Sequence, residues 1–300
     1  MKKLPHTHCW PFQFSDKRAQ EIILRQFAEA GADGVDFNPS EMLAMMNDPG
    51  EILRWKRMTA NTGVSFRDAH APFGALKDLS TPVPELFPHV VRLHKTCLRL
   101  CAEFGIKSCT IHVGRPTDYC RDTAVLHDNM LRAVERLLPT AEECDCVICI
   151  ENIWDSNNTA GMLLDAIERF KSPWLGVCWD SGHAQLSRSD TPDVPEQRCR
   201  ASWKSCGFAD GPAEWSDTGD YLRRLLPHIV TCHLHTNDRV LDRHWLPNDP
   251  RGKTDWAAEM PVLLSAPRLK QLHNESTPSA ENPFTVREQV ESLNAIAALG

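Results

Sequence analysis

Six short apolar segments of the chain each end in, or close to, a side chain that can bind a metal ion. With their candidate ligands, the segments are FRDAH (His70), CTIHVG (His112), VICIEN (Glu151), LGVCWDSGH (Asp180, His183), IVTCHLH (His233, His235) and LKQLHNE (Glu275). Imidazole and carboxylate groups together suit zinc, manganese or iron. Burying several carboxylates side by side is costly unless a cation neutralises them. The pattern therefore predicts a metalloenzyme that holds one to three divalent ions, with zinc or manganese favoured.

The elements that must position these residues alternate between strand-like and helix-like patterns over the whole length. The strands are short and apolar, as expected of parallel strands that are covered on both faces. Eight such βα units in 300 residues fit a (β/α)8 barrel, which needs about 250 residues and directs the carboxyl ends of its strands to one point. We predict a single α/β domain, residues 1–300, folded as a (β/α)8 TIM barrel. A doubly wound open sheet is the alternative, but no glycine-rich phosphate loop follows the first strand.

Three local features of the sequence predict details of the secondary structure. Ser15 is predicted to cap a helix that ends at Gly31, with Ile22 and Phe27 on its apolar face. Pro139 is predicted to kink or end the helix TAVLHDNMLRAVERLLPTAEEC, because proline lacks the backbone N–H that a helix interior uses. The polar, proline-rich residues 186–214 are predicted to form an excursion with a short helix.

The choice among several candidate ligands stays open in the sequence. His233 and His235 lie on one face of their strand, because side chains alternate with a period of two, and at least one of them should bind metal. His183 lies three residues after Asp180, so a helical turn at that point would aim both at one centre. Asp242 and His244 lie two apart in the polar loop after IVTCHLH, where an extended backbone would point both the same way. Taken singly, a histidine at such a position is more often a hydrogen-bonded core or rim residue.

Aromatic and arginine side chains near the predicted mouth of the barrel are candidates for binding a substrate. Apolar rings suit the apolar face of a sugar, and arginine suits a phosphate or carboxylate. Arg115 and Arg251 are further candidates for an anionic group. The residues predicted to contact substrate are His8, Trp10, Phe73, Trp154 and Arg243.

The composition is that of a globular protein and excludes some partners. Hydrophobic residues make up 42% and charged residues 24%, and the net charge is −7, so the chain carries no general field that attracts phosphates. No run of about 20 apolar residues could cross a membrane, and the amino-terminal residues do not form a secretory signal. The 12 cysteines have no framework spacing, which indicates free thiols in a reducing cytoplasm.

Four segments of the chain, GVCWDSGHA, IENIW, HLHTND and DRHWLP, resemble the xylose isomerase-like TIM-barrel superfamily. This group contains sugar (phosphate) isomerases and epimerases and the family 2 apurinic endonucleases. The resemblance to the epimerases implies one divalent ion held by Glu151, Asp180, His233 or His235, and Glu275, with the two glutamates transferring a proton. The resemblance to endonuclease IV implies three zinc ions and a larger ligand set: His70, His112, Glu151, Asp180, His183, His233 or His235, Asp242, His244 and Glu275.

These observations leave three hypotheses for the function. The favoured one is a metal-dependent isomerase or epimerase of a sugar, sugar phosphate or related polyol ketone, with Glu151 and Glu275 as acid and base and His183 positioning a hydroxyl. The second is a zinc phosphodiesterase that cuts DNA at abasic sites, which the acidic net charge disfavours. The third is a barrel that binds a ligand without catalysis. The expected partner is therefore a small carbohydrate, and pairing of chains through the outer helices is expected from the resemblance.

Overall fold

Eight strands alternate with helices in the computed structural model, which describes residues 3–74, 76–187 and 218–300. The strands are β1 (His6–His8), β2 (Gly34–Phe37), β3 (Ser65–Ala69), β4 (Ser108–Ile111), β5 (Val147–Glu151), β6 (Leu175–Asp180), β7 (Ile229–His233) and β8 (Leu272–Asn274). The helices in the described ranges are α1 (Lys17–Ala30), α2 (Pro39–Asn47), α3 (Gly50–Thr62), α4 (Phe87–Glu103), α5 (Thr123–Glu143), α6 (Ala160–Phe170), α7 (Ser181–Leu186), α8 (Thr218–Leu225), α9 (Trp256–Leu263) and α10 (Val286–Ala297).

The strands form two parallel four-stranded sheets, in the orders β3-β2-β1-β8 and β4-β5-β6-β7. Two parallel bridges join the sheets at their edges, one between His70 and Thr110 and one between Leu234 and Asn274. Because both seams are bridged, the two sheets close into one barrel with the helices outside it. The predicted (β/α)8 fold is confirmed.

Apolar side chains on the outer face of the strands pack against the helices. Phe37 of β2 and Phe66 of β3 have ring centroids 4.8 Å apart, and Phe104 lies 5.2 Å from Phe66. On the opposite side of the barrel, Trp179 of β6 meets Tyr221 of α8 edge-on at 5.4 Å. These buried rings fix the strands against the helical layer, which is what gives the strand ends their fixed positions.

The interior of the barrel holds a buried polar network rather than only apolar side chains. Asp68 accepts hydrogen bonds from the hydroxyls of Ser108 (2.8 Å) and Thr231 (2.5 Å) and from Nδ1 of His273 (3.1 Å). Gln271 donates from its amide to both hydroxyls. Burial alone would raise the pKa of Asp68, but the hydrogen bond and charge of His273 outweigh it and lower the pKa. The network thus keeps a carboxylate ionised beneath the strand ends.

Two predictions for α1 are wrong. The cap of α1 is Asp16, not Ser15, because the Asp16 carboxylate accepts from the backbone N–H groups of Arg18 and Ala19. Ile22 is 58% exposed, and the buried face of α1 is formed by Gln20, Leu24 and Phe27. Gly31 does end the helix, with a positive φ of 84° that glycine adopts without strain.

Pro139 does not end its helix, which runs from Thr123 to Glu143. Buried Leu137 and Ala141 lie on either side of the proline, and their packing offsets the lost backbone hydrogen bond. The predicted excursion at 186–214 falls almost entirely outside the described residues. The ten cysteines within the described ranges are free thiols, and no helix in those ranges is long and apolar enough to cross a membrane.

Candidate metal centre

The carboxyl ends of six strands bring the predicted ligands together at one end of the barrel. Glu151, Asp180 and His233 are the last residues of β5, β6 and β7, and Asp180 lies beside His233 in the strand register. His70 and Glu275 directly follow β3 and β8, and His112 directly follows β4. Most of this set is buried, with side-chain exposures of 18% or less for His70, His112, Glu151, Asp180, His233 and Glu275.

An inner cluster surrounds Nδ1 of His233. This nitrogen lies 2.7 Å from Oε1 of Glu151, 3.3 Å from Oε2 of Glu275 and 3.8 Å from Oδ2 of Asp180. Three carboxylates and one imidazole therefore face a common point. His233, rather than His235, belongs to this group, because it is the residue that ends β7 beside Asp180.

A second group adjoins the inner cluster through Glu151. Nε2 of His112 lies 2.9 Å and Nε2 of His70 lies 3.7 Å from Oε2 of Glu151. Nδ1 of His70 donates to the backbone oxygen of Ala71 at 2.9 Å, so its Nε2 keeps a free lone pair for an ion. His70, His112 and Glu151 thus offer three ligand atoms within 4.8 Å of one another.

An outer cluster lies nearer the rim and consists of His183, His235, Asp242 and His244, whose ligand atoms also lie within 4.8 Å of one another. Oδ2 of Asp242 is 2.9 Å from Nε2 of His244 and 3.5 Å from Nε2 of His183. The segment is not extended as predicted, because His244 has a positive φ of 47°. The left-handed turn, and not alternation along an extended chain, brings Asp242 and His244 together.

The start of α7 explains how Asp180 and His183 come to face the same region. The Asp180 carboxylate caps the helix by accepting from the His183 backbone N–H at 2.6 Å. Asn152 holds Asp180 in place: its amide donates to the Asp180 carbonyl at 2.9 Å, and its oxygen accepts from the Asp180 N–H at 2.7 Å. Asn152 was not predicted from the sequence, although its place directly after Glu151 could have indicated it.

The donor set fits a divalent cation. Oε2 of Glu151 and Oδ1 of Asp242 are buried and have no hydrogen bond among the described residues, although imidazole nitrogens lie close to both. Nδ1 of His183 is likewise buried without a hydrogen bond in that part of the chain. Unsatisfied lone pairs that converge on shared points are costly for the protein alone and are what a bound cation requires.

Neighbouring charges shift the protonation of the cluster in different directions. Burial opposes a charged His183, but the charges of Asp180 and Asp242 outweigh it and raise its pKa to about 10. Burial also opposes an ionised Glu151, but its interactions with His233, His112 and His70 hold its pKa well below the ordinary value. Glu275 differs, because burial and the charges of Glu151 and Asp180 raise its pKa well above the ordinary value, against the opposing charge of His244. The pKa values of the two glutamates are thus shifted in opposite directions.

A cavity of about 270 Å³ opens above the cluster. Phe73 and Trp154 line it as predicted, with Phe73 stacked on His112 at 4.3 Å and Trp154 edge-on to His183 at 4.7 Å. Arg115 also lines it. Two carboxylates that were not predicted from the sequence, Asp78 and Asp155, complete the polar part of its wall. Both lie in loops, where no periodicity could have indicated their direction.

Three residues predicted to contact substrate do not line this cavity. His8 is fully buried and stacks on Phe27 of α1 at 5.6 Å. Trp10 packs edge-on against Phe27 and Phe284. Arg243 lies 3.4 Å from the Asp238 carboxylate and 3.6 Å from that of Glu281, so its charge is already partnered. We do not include these three in the proposed site.

The sequence profile of the xylose isomerase-like TIM barrel family matches residues 24–267, so the chain belongs to this family. Its fold is similar to that of a D-tagatose 3-epimerase-like protein, with a TM-score of 0.72, 16% identity and coverage of 98% of this chain and 96% of that one. It is also similar to D-psicose 3-epimerase from Clostridium cellulolyticum H10, with a TM-score of 0.71, 13% identity and coverage of 99% of both chains. A probable endonuclease 4 from Methanoculleus marisnigri is 23% identical over 164 residues, which are 52% of this chain and 57% of that protein.

At these identities the structural likeness shows the fold alone. The predicted family is confirmed.

Proposed function

We propose that this protein is a metal-dependent isomerase or epimerase that moves a proton on a sugar, sugar phosphate or related polyol ketone. The observation that carries the proposal is the inner cluster, in which Glu151 and Glu275 both approach the same nitrogen of His233. Two carboxyl groups whose pKa values are driven apart by their surroundings suit an acid and base pair. The epimerases among the structural neighbours support the same reaction class.

The inner cluster would hold one divalent cation through Glu151, Asp180, His233 and Glu275. A cation bound there would make the hydrogen next to a substrate carbonyl more acidic. Glu151 and Glu275 would then take the proton from one face of that carbon and return it on the other. Asp180 is held by Asn152 and by the first turn of α7, which would keep its carboxylate in position to bind the cation.

The cavity suits a small polar molecule with an apolar face. Phe73 and Trp154 supply aromatic surface that would pack on a sugar ring, and Asp78 and Asp155 supply acceptors for hydroxyl groups. Arg115 is exposed at the same wall and would interact with a phosphate or carboxylate of the substrate. His183 lines the cavity too, but its Nε2 faces Asp242. We therefore place it in the outer cluster and do not assign it the positioning of a substrate hydroxyl.

The alternative is a phosphodiesterase acting on abasic DNA, and one observation favours it. The groups around His70 and around Asp242 offer the further ligands that a three-zinc site requires, and a probable endonuclease 4 is among the relatives. Against it stands the net charge of −7, which gives the chain no general field that attracts a phosphate backbone.

Solvent hydrogen exchange tests the proposed reaction even while the product is unidentified. The protein is loaded with Mn²⁺, Co²⁺ or Zn²⁺ and incubated in D₂O with a panel of ketoses and ketose phosphates. We expect deuterium to appear by NMR at a carbon next to the carbonyl of at least one substrate, and the signal to vanish on chelation. Nicking of an abasic duplex by the same preparation, with no exchange on any ketose, would instead support the phosphodiesterase.

A further inference from the structure

We propose that a pocket in the helical layer, between α1, α2 and α3, binds a ligand through a primary ammonium group, with Glu41 and Gln20 as the acceptors. The pocket has a volume of about 570 Å³. The described residues that line it are all different from those that line the cavity above the metal cluster. The inference therefore does not depend on the proposed reaction, and either can fail without the other.

Glu41, in the first turn of α2, presents a buried oxygen to this pocket without a partner. The residue is 3% exposed. Its Oε1 accepts a hydrogen bond from the Ser40 hydroxyl at 3.0 Å, but Oε2 receives none from any described residue. Protonation would remove the charge of the carboxyl group without giving Oε2 a partner. A buried polar atom left unpaired destabilises the folded protein, and a ligand that donates to it would remove that destabilisation.

Gln20 of α1 presents a second unpaired oxygen in the same pocket. Its side-chain nitrogen donates to the Phe12 carbonyl at 3.0 Å, which fixes the orientation of the amide and leaves Oε1 as the acceptor. This oxygen is buried and accepts no hydrogen bond within the described ranges, and the residue is 7% exposed. Two buried acceptors from two helices thus line one pocket, and both need a ligand that donates hydrogen bonds.

The basic side chains that line the pocket are bound to another carboxylate. Nζ of Lys17 lies 2.5 Å from Oε1 of Glu51, and Nη2 of Arg54 lies 2.6 Å from Oε2 of Glu51. Arg54 also donates from Nε to Oε2 of Glu51 at 2.8 Å. Glu51 therefore takes both positive charges, and Glu41 forms no ion pair with any described residue. A cation from outside the chain is the partner that this carboxyl group requires.

The acceptors of the pocket suit an ammonium group better than a metal ion. Mg²⁺ or Ca²⁺ would require about six or more oxygen ligands, whereas the described side chains that line the pocket offer two buried unpaired oxygens. An ammonium group carries one positive charge and three N–H donors. The charge of the lining favours it too, since four acids face two bases: Asp16, Glu41, Asp48 and Glu51 against Lys17 and Arg54.

The protonation of Glu41 makes binding depend on pH. Burial raises the pKa of Glu41 to about 8 and the charge of Asp36 adds to the rise, against the Ser40 hydrogen bond and the charge of Arg54. The ionised form that pairs with an ammonium group is thus about 1% of the protein at pH 6 and half of it at pH 8, so the affinity should increase about 50-fold between these values. The other titratable groups that line the pocket or interact with Glu41 are Asp16, Lys17, Asp48, Glu51 and Cys9.

NMR of the full chain with ¹³C-labelled glutamate tests the proposal, with n-butylammonium as the probe. The carboxyl carbon reports the ionisation of each glutamate. We expect one signal, missing in Glu41→Gln, to titrate near pH 8 in the free protein and at a lower pH when n-butylammonium saturates the pocket. The dissociation constant of the probe should fall about 50-fold from pH 6 to pH 8. Tetramethylammonium has the same charge but no N–H donor, and it should leave the signal where it is.

Two variants separate the pocket from the general surface charge. Glu41→Gln should bind n-butylammonium at least about 10-fold more weakly at pH 8, because it loses a hydrogen bond between charged groups. Glu29→Gln, which removes an exposed acid of α1 outside the pocket, should bind as the wild type does.

The contrast between the two ammonium ions is measured on the wild type, so it decides the question even if Glu41→Gln does not fold. The proposal is overturned if tetramethylammonium shifts the Glu41 signal as much as n-butylammonium does, or if Glu41→Gln keeps the full affinity. A shift caused by Ca²⁺ and not by the amine would also overturn it, in favour of a metal site.

Discussion

Nδ1 of His233 lies 2.7 Å from Oε1 of Glu151, and both side chains are buried at the ends of strands in one half of the barrel. Oε2 of Glu275, from the other half, lies 3.3 Å from the same nitrogen. A single imidazole therefore marks the point where the two proposed proton-transfer groups meet. Glutamates held this close would share one cation and one reacting carbon.

Glu275→Gln should abolish turnover while substrate binding is largely retained, because the amide keeps the shape of the side chain but cannot accept the proton. The expected loss is about 10²- to 10⁴-fold in kcat, the usual contribution of a general acid or base. Steady-state kinetics on the substrate found by hydrogen exchange would measure it. Glu281→Gln is the control, since Glu281 is 86% exposed, and it should leave kcat unchanged. Undiminished turnover in Glu275→Gln would remove Glu275 from the reaction.

Glu41→Gln should make the protein more resistant to alkaline pH. Burial raises the pKa of Glu41 to about 8, from an ordinary value of 4.5. Between these values the folded state holds a proton that the unfolded state has lost, so the free energy of unfolding falls as the pH rises, by up to about 1.4 kcal/mol per pH unit. Urea unfolding at several pH values from 5 to 9 should show this decline in the wild type and a smaller one in Glu41→Gln. The exposed Glu168→Gln serves as control, and equal slopes in all three proteins would contradict the assignment.

Gly182→Ala should weaken the outer cluster and destabilise the fold. The added methyl group would overlap the His235 ring, and overpacking of this kind costs about 1–3 kcal/mol. Thermal unfolding and cobalt titration would report the two effects. Gly161→Ala is the matched control: this exposed glycine in α6 has space for a methyl group, so the substitution should stabilise the helix by about 0.5–1 kcal/mol. The prediction fails if both variants behave alike.

Nicking of abasic DNA should be undetectable at physiological salt. The chain has a net charge of −7, so it has no general field that attracts a phosphate backbone. Gel electrophoresis of a labelled abasic duplex with zinc-loaded protein would measure this. Cleavage that disappears in Asp242→Asn would reverse our preference between the two functions.

The ligands at the strand ends could be predicted from the sequence because two local signals mark them: an apolar run and the polar residue that ends it. Each strand is a short apolar run, and Glu151 and Asp180 directly terminate such runs, so closing the barrel was enough to bring them together. The choice between His233 and His235 could not be made, since both obey the same alternation. The structure places His233 beside Glu151 and Glu275 and seats the His235 ring above Gly182, and these positions depend on the tertiary structure.

The remaining differences between predicted and observed side-chain positions arise where the position depends on long-range packing. His8 was expected to line the pocket, but it stacks on Phe27 of a helix outside the barrel. Trp10 has the same neighbour. Asp78 gave no signal in the sequence because its loop has no periodicity, and its place on the cavity wall follows from the close approach of Gly114, where a Cβ atom would overlap Ser80.

The two half-barrels touch along seams that carry one bridge each, and the candidate ligands are divided between them. His70 and Glu275 come from the half that contains β1, whereas Glu151, Asp180 and His233 come from the other. A cation bound at the mouth by residues of both halves would therefore hold the two half-barrels together. Stripping it with a chelator should speed amide hydrogen exchange first at the seam residues Thr110 and Leu234, while strands in the middle of each sheet stay protected.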